Sequence, residues 1–246
     1  MKYWLGLSLV LLIFTGCGPV YMPSRVSTPS VETKGDLQID LDTDPQIMAH
    51  YAVTDNIILT AMGRSARTSS SSSGDPSRAD KSNIQGMGLG VGYQRRVKSH
   101  RLIKYALLGG ASLENWDGQV TRDFLLEEDV TINGDLFPFK TQLAVPYGQF
   151  LIGYGGRYTH LQLGVRGSYL MPFSTDASDE LNFSSSTLID YSLTGQVSLV
   201  NRLSFFTQVV LHHHMNDDAT YFVLPGMMYL GLSYSVGSDG SVSQFK

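Results

Sequence analysis

From residue 36 to residue 236 one signal dominates: apolar and polar residues alternate with period two, and no stretch sustains a helical repeat. The alternation falls into ten runs, at residues 36–42, 46–53, 56–66, 84–96, 101–113, 143–154, 157–170, 187–199, 202–212 and 222–236. Most are ten residues or longer. An average globular strand has ~5–6 residues, whereas a strand crossing a bilayer at a tilt needs ~9–11. The spacing therefore predicts an all-β fold, an up-and-down antiparallel β-barrel of about ten strands, with eight as the lower count; the short connection Thr43-Asp44-Pro45 after the first run breaks the alternation of connections.

The connections alternate too. Tight turns at Asp55, Ser99, Gly155 and Asn201 separate long segments at 67–83, 114–142, 172–186 and 213–221. Short turns on one rim and long loops on the other are the arrangement of outer-membrane barrels. The serine run from Ser69 to Ser73 marks one loop as low-complexity and mobile.

Alternation does not say which face lies inside. In a soluble carrier the apolar face points inward; in a membrane barrel it meets lipid. The apolar face is bulky on nearly every run. The opposite face is Gly, Ser, Thr and Gln rather than the Lys and Glu that hydrate a soluble exterior. Charged residues make up only 16% of the chain, against ~25% in an ordinary soluble domain. The isolated charges on the polar face, Asp40, His50, Lys104, Arg166 and Asp190, form a candidate lumen cluster able to pair in a narrow interior. Tyr51, Tyr93, Tyr154, Tyr158 and Tyr234 fall near strand ends, where an interfacial girdle needs aromatics. These features favour lipid outside. A periplasmic, lipocalin-like carrier of an apolar ligand is the alternative.

Residues 1–16 read as a secretory signal: Lys2, an apolar run from Tyr3 to Phe14, then Thr15-Gly16. The run is shorter than the ~20 apolar residues of a spanning helix. The single cysteine, Cys17, follows directly, as in a bacterial lipoprotein signal where the cysteine receives lipid, although Phe14 stands where Leu is usual. Residues 17–35, with Pro19, Pro23 and Pro29 among Ser and Thr, read as an extended, lipidated tether. Residues 36–236 form the barrel and 237–246 a tail. One cysteine excludes a disulfide scaffold. A net charge of −4 and a pI near 5.8 give no support for nucleic-acid binding.

Candidate chemistry is sparse. His212, His213 and His214 beside Asp217 and Asp218 form the one metal-like group, since imidazoles and carboxylates hold Zn or Cu. Successive strand residues point to opposite faces, so the three rings do not converge without a bend. His160 and Asp190 supply parts of a hydrolytic triad with no serine tied to them. Gly86, Gly88, Gly90 and Gly92 have no following helix, so they read as relief of crowding in a narrow curved sheet, not as a phosphate loop. The pattern indicates no enzyme, cofactor or metal.

The hairpin His50-Tyr51-Ala52-Val53-Thr54-Asp55-Asn56-Ile57 resembles a recurrent strand–turn–strand unit of bacterial outer-membrane barrels. Tyr229, Gly231, Tyr234 and Val236 resemble the assembly signal of a final barrel strand, although ten residues follow Val236. With the lipoprotein signal, the whole chain resembles Bacteroidetes-type outer-membrane β-barrel lipoproteins. That resemblance implies an outer-membrane location, membrane lipid and the barrel-assembly machinery as partners, and no reaction. The expectation is a lipid-anchored barrel with a structural or interaction role and an external partner not identified by sequence. A narrow pore and the tethered carrier are the alternatives. The tight turns are expected beside the lipid-bearing N-terminus.

Overall fold

The computed structural model describes residues 20–70, 80–97, 99–121, 136–155, 159–177, 181, 183–200, 202–215, 222–223 and 226–237. These residues contain no helix; they form β1 (Val20–Tyr21), β2 (Leu37–Asp42), β3 (Gln46–Ala52), β4 (Ile57–Ser70), β5 (Asp80–Val97), β6 (His100–Thr121), β7 (Leu136–Gly155), β8 (Thr159–Ala177), β9 (Ser186–Val200), β10 (Leu203–His214), β11 (Phe222–Val223) and β12 (Gly226–Val236). Ten of them close one antiparallel barrel in sequence order from β2 to β10, then β12, which pairs back with β2. Every barrel strand pairs with the barrel strand next to it in the chain, β11 lying outside the barrel between β10 and β12, except at that closing seam, where Leu232 lies opposite Leu41 and Val236 opposite Leu37. The two remaining strands form a separate parallel pair, Val20 against Phe222 and Tyr21 against Val223.

The apolar faces point outward. Met87 and Leu89 on β5 are each 72% exposed, and Leu107, Leu113, Phe150, Ile152, Leu161, Leu163 and Val165 continue the belt on β6, β7 and β8. Tyr51, Tyr93, Tyr154 and Tyr234 lie on the outer surface near the tight-turn ends of their strands; Tyr158 lies outside the described residues. On β7 the apolar or small outward positions run from Tyr154 to Ala144. Ten steps of ~3.3 Å at a tilt of ~40° rise ~25 Å, the height of an outer-membrane apolar band.

The strands overrun the expected loops. The described residues of the 114–142 segment are sheet: β6 continues to Thr121 and β7 begins at Leu136, with Glu114 opposite Leu143 and Thr121 opposite Leu136. Likewise β4 reaches Ser70, β5 starts at Asp80 and β8 reaches Ala177. The sequence pattern hid these extensions because the chemistry of the two faces exchanges there. Ile84, Trp116, Phe139, Leu170 and Leu188 are buried inside, while Lys81, Asn115, Asp117 and Lys140 face out. Residues 71–79, including most of the serine run, lie outside the described residues.

The expected tether is not beside the barrel. Residues 21–29 and Val31 are buried within it, with Ser30 half-buried. The physical reason is in their composition. Tyr21 and Met22, Val26, and Val31 are apolar and sit five residues apart, too regular and too apolar for a solvated linker. Each group joins a different interior cluster. Tyr21 and Met22 enter the aromatic cluster at the loop end, Val26 sits against Ala106, Leu108, Leu151 and Val210, and Val31 packs with Ala52 and Ile58 at the turn end.

Candidate functional site: a lumen threaded by its own N-terminal segment

A single extended chain inside a barrel has no neighbouring strand to satisfy its backbone. A buried carbonyl left unpaired costs about 1–3 kcal/mol, so the wall must supply partners. It does so with long polar side chains. Arg64 donates to the carbonyl of Met22 at 2.7 Å, Tyr229 to Pro23 at 3.0 Å, and Arg166 to both Ser24 and Arg25. Gln208 donates to Val26 at 3.1 Å, Gln149 to Ser27, Gln162 to Pro29 at 3.4 Å and Lys104 to Val31 at 2.7 Å. Eight carbonyls are thus held by donors from β4, β6, β7, β8, β10 and β12. Two amides go to β3 and β2: Arg25 N–H to Gln46 Oε1 at 3.0 Å, and Ser30 N–H to Gln38 Oε1 at 2.6 Å. Pro23 and Pro29 lack an N–H to satisfy, which suits a strand with no ladder partner.

The segment turns into β2 at Gly35, whose φ of 89° lies in the left-handed region that a side chain disfavours. Around it, the Asp36 carboxylate accepts the amides of Glu32 and Thr33, Gly35 N–H donates to Ala52, and Lys34 N–H donates to the Asp55 side chain at 2.9 Å. The turn that carries Asp55 is therefore one wall of the segment's anchor.

Charge pairing fixes the middle and top of the segment. Arg25, fully buried, reaches Asp40 at 3.0 Å and Asp42 at 3.3 Å, and its guanidinium lies 4.4 Å from the centre of the Phe206 ring. Higher up, Arg64 bonds Glu114 at 2.7 Å, and Glu114 also accepts the Tyr21 hydroxyl at 2.8 Å. The Tyr21 ring meets Trp116 edge-on at 5.5 Å, and Trp116 packs against Phe139 and Phe183 at 5.2 and 5.3 Å. In the turn between β2 and β3, outside the belt, burial pushes the Asp44 carboxyl up from its ordinary value, and the charge of Arg64 opposes that rise.

All five expected lumen charges are buried and face inward. They do not form one cluster. Asp40 pairs with His50 at 3.5 Å, and Arg166 with Asp190 at 2.6 Å; Lys104 stands apart and holds the segment's Val31 carbonyl. Sequence reasoning missed Arg25, Asp42, Arg64, Glu114, Tyr21 and Tyr229. The signal was present: Arg25 is the one charge between Gly18 and Val31, and a lumen carrying Asp40 and Asp42 needs a cation.

His212 turns into the lumen and bonds Asp190 at 2.6 Å, whereas His213 faces out, the divergence expected of adjacent strand residues; Asp217 and Asp218 lie outside the described residues. His160 lies near the turn end, against Gly153 and Gly155, six pairing steps along β8 from Arg166, the partner of Asp190. The glycine row on β5 makes room. A Cβ at Gly90 would stand 2.6 Å from both Thr60 Oγ1 and the Tyr147 hydroxyl.

The translocator domain of the autotransporter NalP from Neisseria meningitidis is similar to this chain at 11% identity with a TM-score of 0.46, the match covering 81% of this chain and 85% of that one. Acinetobacter baumannii CarO is similar at 5% identity with a TM-score of 0.29, over 82% of this chain and 97% of that one. No family model and no curated protein matches the chain.

Proposed function

We propose that this protein is an integral outer-membrane β-barrel, anchored in addition by lipid at Cys17, whose lumen is kept shut by its own N-terminal segment and whose role in the envelope is structural or interactive. The observation that carries this reading is the threaded lumen. Eight backbone carbonyls and two amides of residues 22–31 occupy the polar side chains that would otherwise line a water path. The outward apolar belt of ~25 Å supports insertion in a bilayer. It also opposes the carrier alternative, which needs its apolar side chains within. Membrane lipid meets the belt, and the final strand with Tyr229, Gly231, Tyr234 and Val236 is the part offered to the barrel-assembly machinery.

The test is planar-bilayer conductance of the full chain beside the variant Arg25→Ala/Arg166→Ala, in which the segment loses its main charged holds. The full chain is expected to show no steady conductance and the variant to show openings. Steady conductance from the intact protein would overturn the closed-lumen reading. Carbonate washing of membranes carrying Cys17→Ser tests insertion: the variant is expected to stay in the pellet, and its release into the wash would sink the integral barrel.

A further inference from the structure

The N-terminal segment has a direction. Its residues from 34 back to 20 meet wall positions that lead from the tight turns toward the long-loop rim. Lys34 is held at Asp55 in the β3–β4 turn, Val31 at Lys104 four residues into β6, and Pro29 at Gln162 three residues into β8. Tyr21 is held at Glu114, fourteen residues into β6. The climb ends with Val20 and Tyr21 paired to Phe222 and Val223, which belong to the connection between β10 and β12 on the long-loop rim. The segment thus crosses the whole belt inside the barrel.

We infer that the chain before Val20 emerges on the face of the long loops, so that Cys17 and its lipid enter the leaflet on that side, opposite the tight turns. This rests on the proposed lipidation of Cys17. Two residues, Gly18 and Pro19, separate Cys17 from Val20, and the three peptide steps reach at most ~11 Å. The apolar band is ~25 Å tall, so Cys17 cannot return to the turn rim. With short turns facing the periplasm, the acyl chains belong to the outer leaflet. The expected placement of the tight turns beside the lipid is thereby reversed. At the other end of the sheet, β12 finishes at Val236, beside Leu37 and the turn rim.

The experiment uses the full chain in cells, with one short epitope per variant: between Gly18 and Pro19, at Ser72, at Ser99, or after Lys246. The epitopes at Gly18 and Ser72 are expected to bind antibody on intact cells, and those at Ser99 and Lys246 only after permeabilisation. A Gly18 epitope that behaves like the Ser99 epitope overturns the inference. Because an insertion could disturb threading, the pair Tyr21→Cys/Val223→Cys gives a second reading in a chain with no insertion near the segment. A cleavage site at Ser72 allows the fragments to be separated. A disulfide joining the two fragments in most of the folded protein is expected; folded protein in which the fragments part without reductant overturns it. Mass measurement of the N-terminal peptide separates the two claims. An N-terminus free of acyl chains removes the lipidation reading, while the epitope and disulfide results still decide the threading.

Discussion

The barrel's middle and its loop-end crown are built from the same strands with opposite chemistry. In the middle, Leu107 and Leu163 face out while Gln149, Gln162 and Arg166 face in. In the crown, on the same sheet, Trp116, Phe139 and Ile84 face in while Asn115, Asp117 and Lys140 face out. Side-chain parity does not change along β6: Gly110, Ser112, Glu114 and Trp116 all point inward. On the membrane reading proposed above, what changes is the solvent outside. Where lipid surrounds the barrel, apolar groups go outward and the interior is polar. Where water surrounds it, the rule of soluble proteins returns. The exchange falls between Leu113 and Asn115 on β6, and between Met87 and Gln85 on β5. On the same reading, those positions mark the bilayer's edge.

Four predictions probe this contrast. The largest effect belongs to the crown's interior. Trp116→Ala removes a ring that is 1% exposed and contacts three aromatic neighbours, and is expected to destabilise by ~3–5 kcal/mol in urea unfolding from vesicles. A loss under ~1 kcal/mol would mean that the crown is not a packed core. Next, Arg166→Met leaves Asp190 with His212 alone and strands two backbone carbonyls and the Ser24 hydroxyl in the interior. Breaking a buried pair in this way costs ~3–5 kcal/mol. Adding Asp190→Leu is expected to recover part of the loss in a double-mutant cycle, and full additivity would show that the pair is not coupled.

The third prediction sets the two exteriors side by side. Leu163→Arg, in the belt, is expected to cost ~2–4 kcal/mol near the bilayer midplane. Asn115→Arg, outward in the crown, is expected to stay within ~0.5 kcal/mol. Equal costs would erase the boundary between the zones. The smallest effect is at the segment's turn. Gly35→Ala forces a side chain into a φ of 89° and is expected to cost ~1–2 kcal/mol, read as a lower urea midpoint with an unchanged slope.

Much of this was legible in the sequence, for a definite reason. Period-two alternation survives any tertiary context that keeps one face wet and one apolar, so Leu161, Leu163 and Val165 against His160, Gln162 and Arg166 announced both the strand and its faces. The crown was illegible because Asn115-Trp116-Asp117 puts its apolar residue on the face that Glu114 and Ser112 had marked as polar. A reader following apolar-outward parity stops at Leu113. The threaded segment was illegible for a different reason. Its contacts are backbone carbonyls, which every residue carries, and its Pro, Ser and Thr read as a linker. Its three apolar holds and Arg25 were visible, but their partners lie far along the chain. The Pro23 carbonyl is held by Tyr229, 206 residues away.

That separation has a kinetic consequence. The segment precedes every barrel strand in the sequence, and the ring closes at a single seam between the first barrel strand, β2, and the last, β12. Until that seam forms, the sheet is an open trough into which residues 20–34 can be laid sideways. Once it forms, the aromatic cluster around Trp116 blocks entry from the loop end, and the turn at Gly35 ties the other. Insertion through the finished hole would have to break that cluster and drag a polar backbone past it. Wrapping is therefore the cheaper route: the barrel assembles around a cord already in place, and seam closure becomes the step that traps it. Contacts so distant in sequence must all wait for that moment, and folding is correspondingly slow.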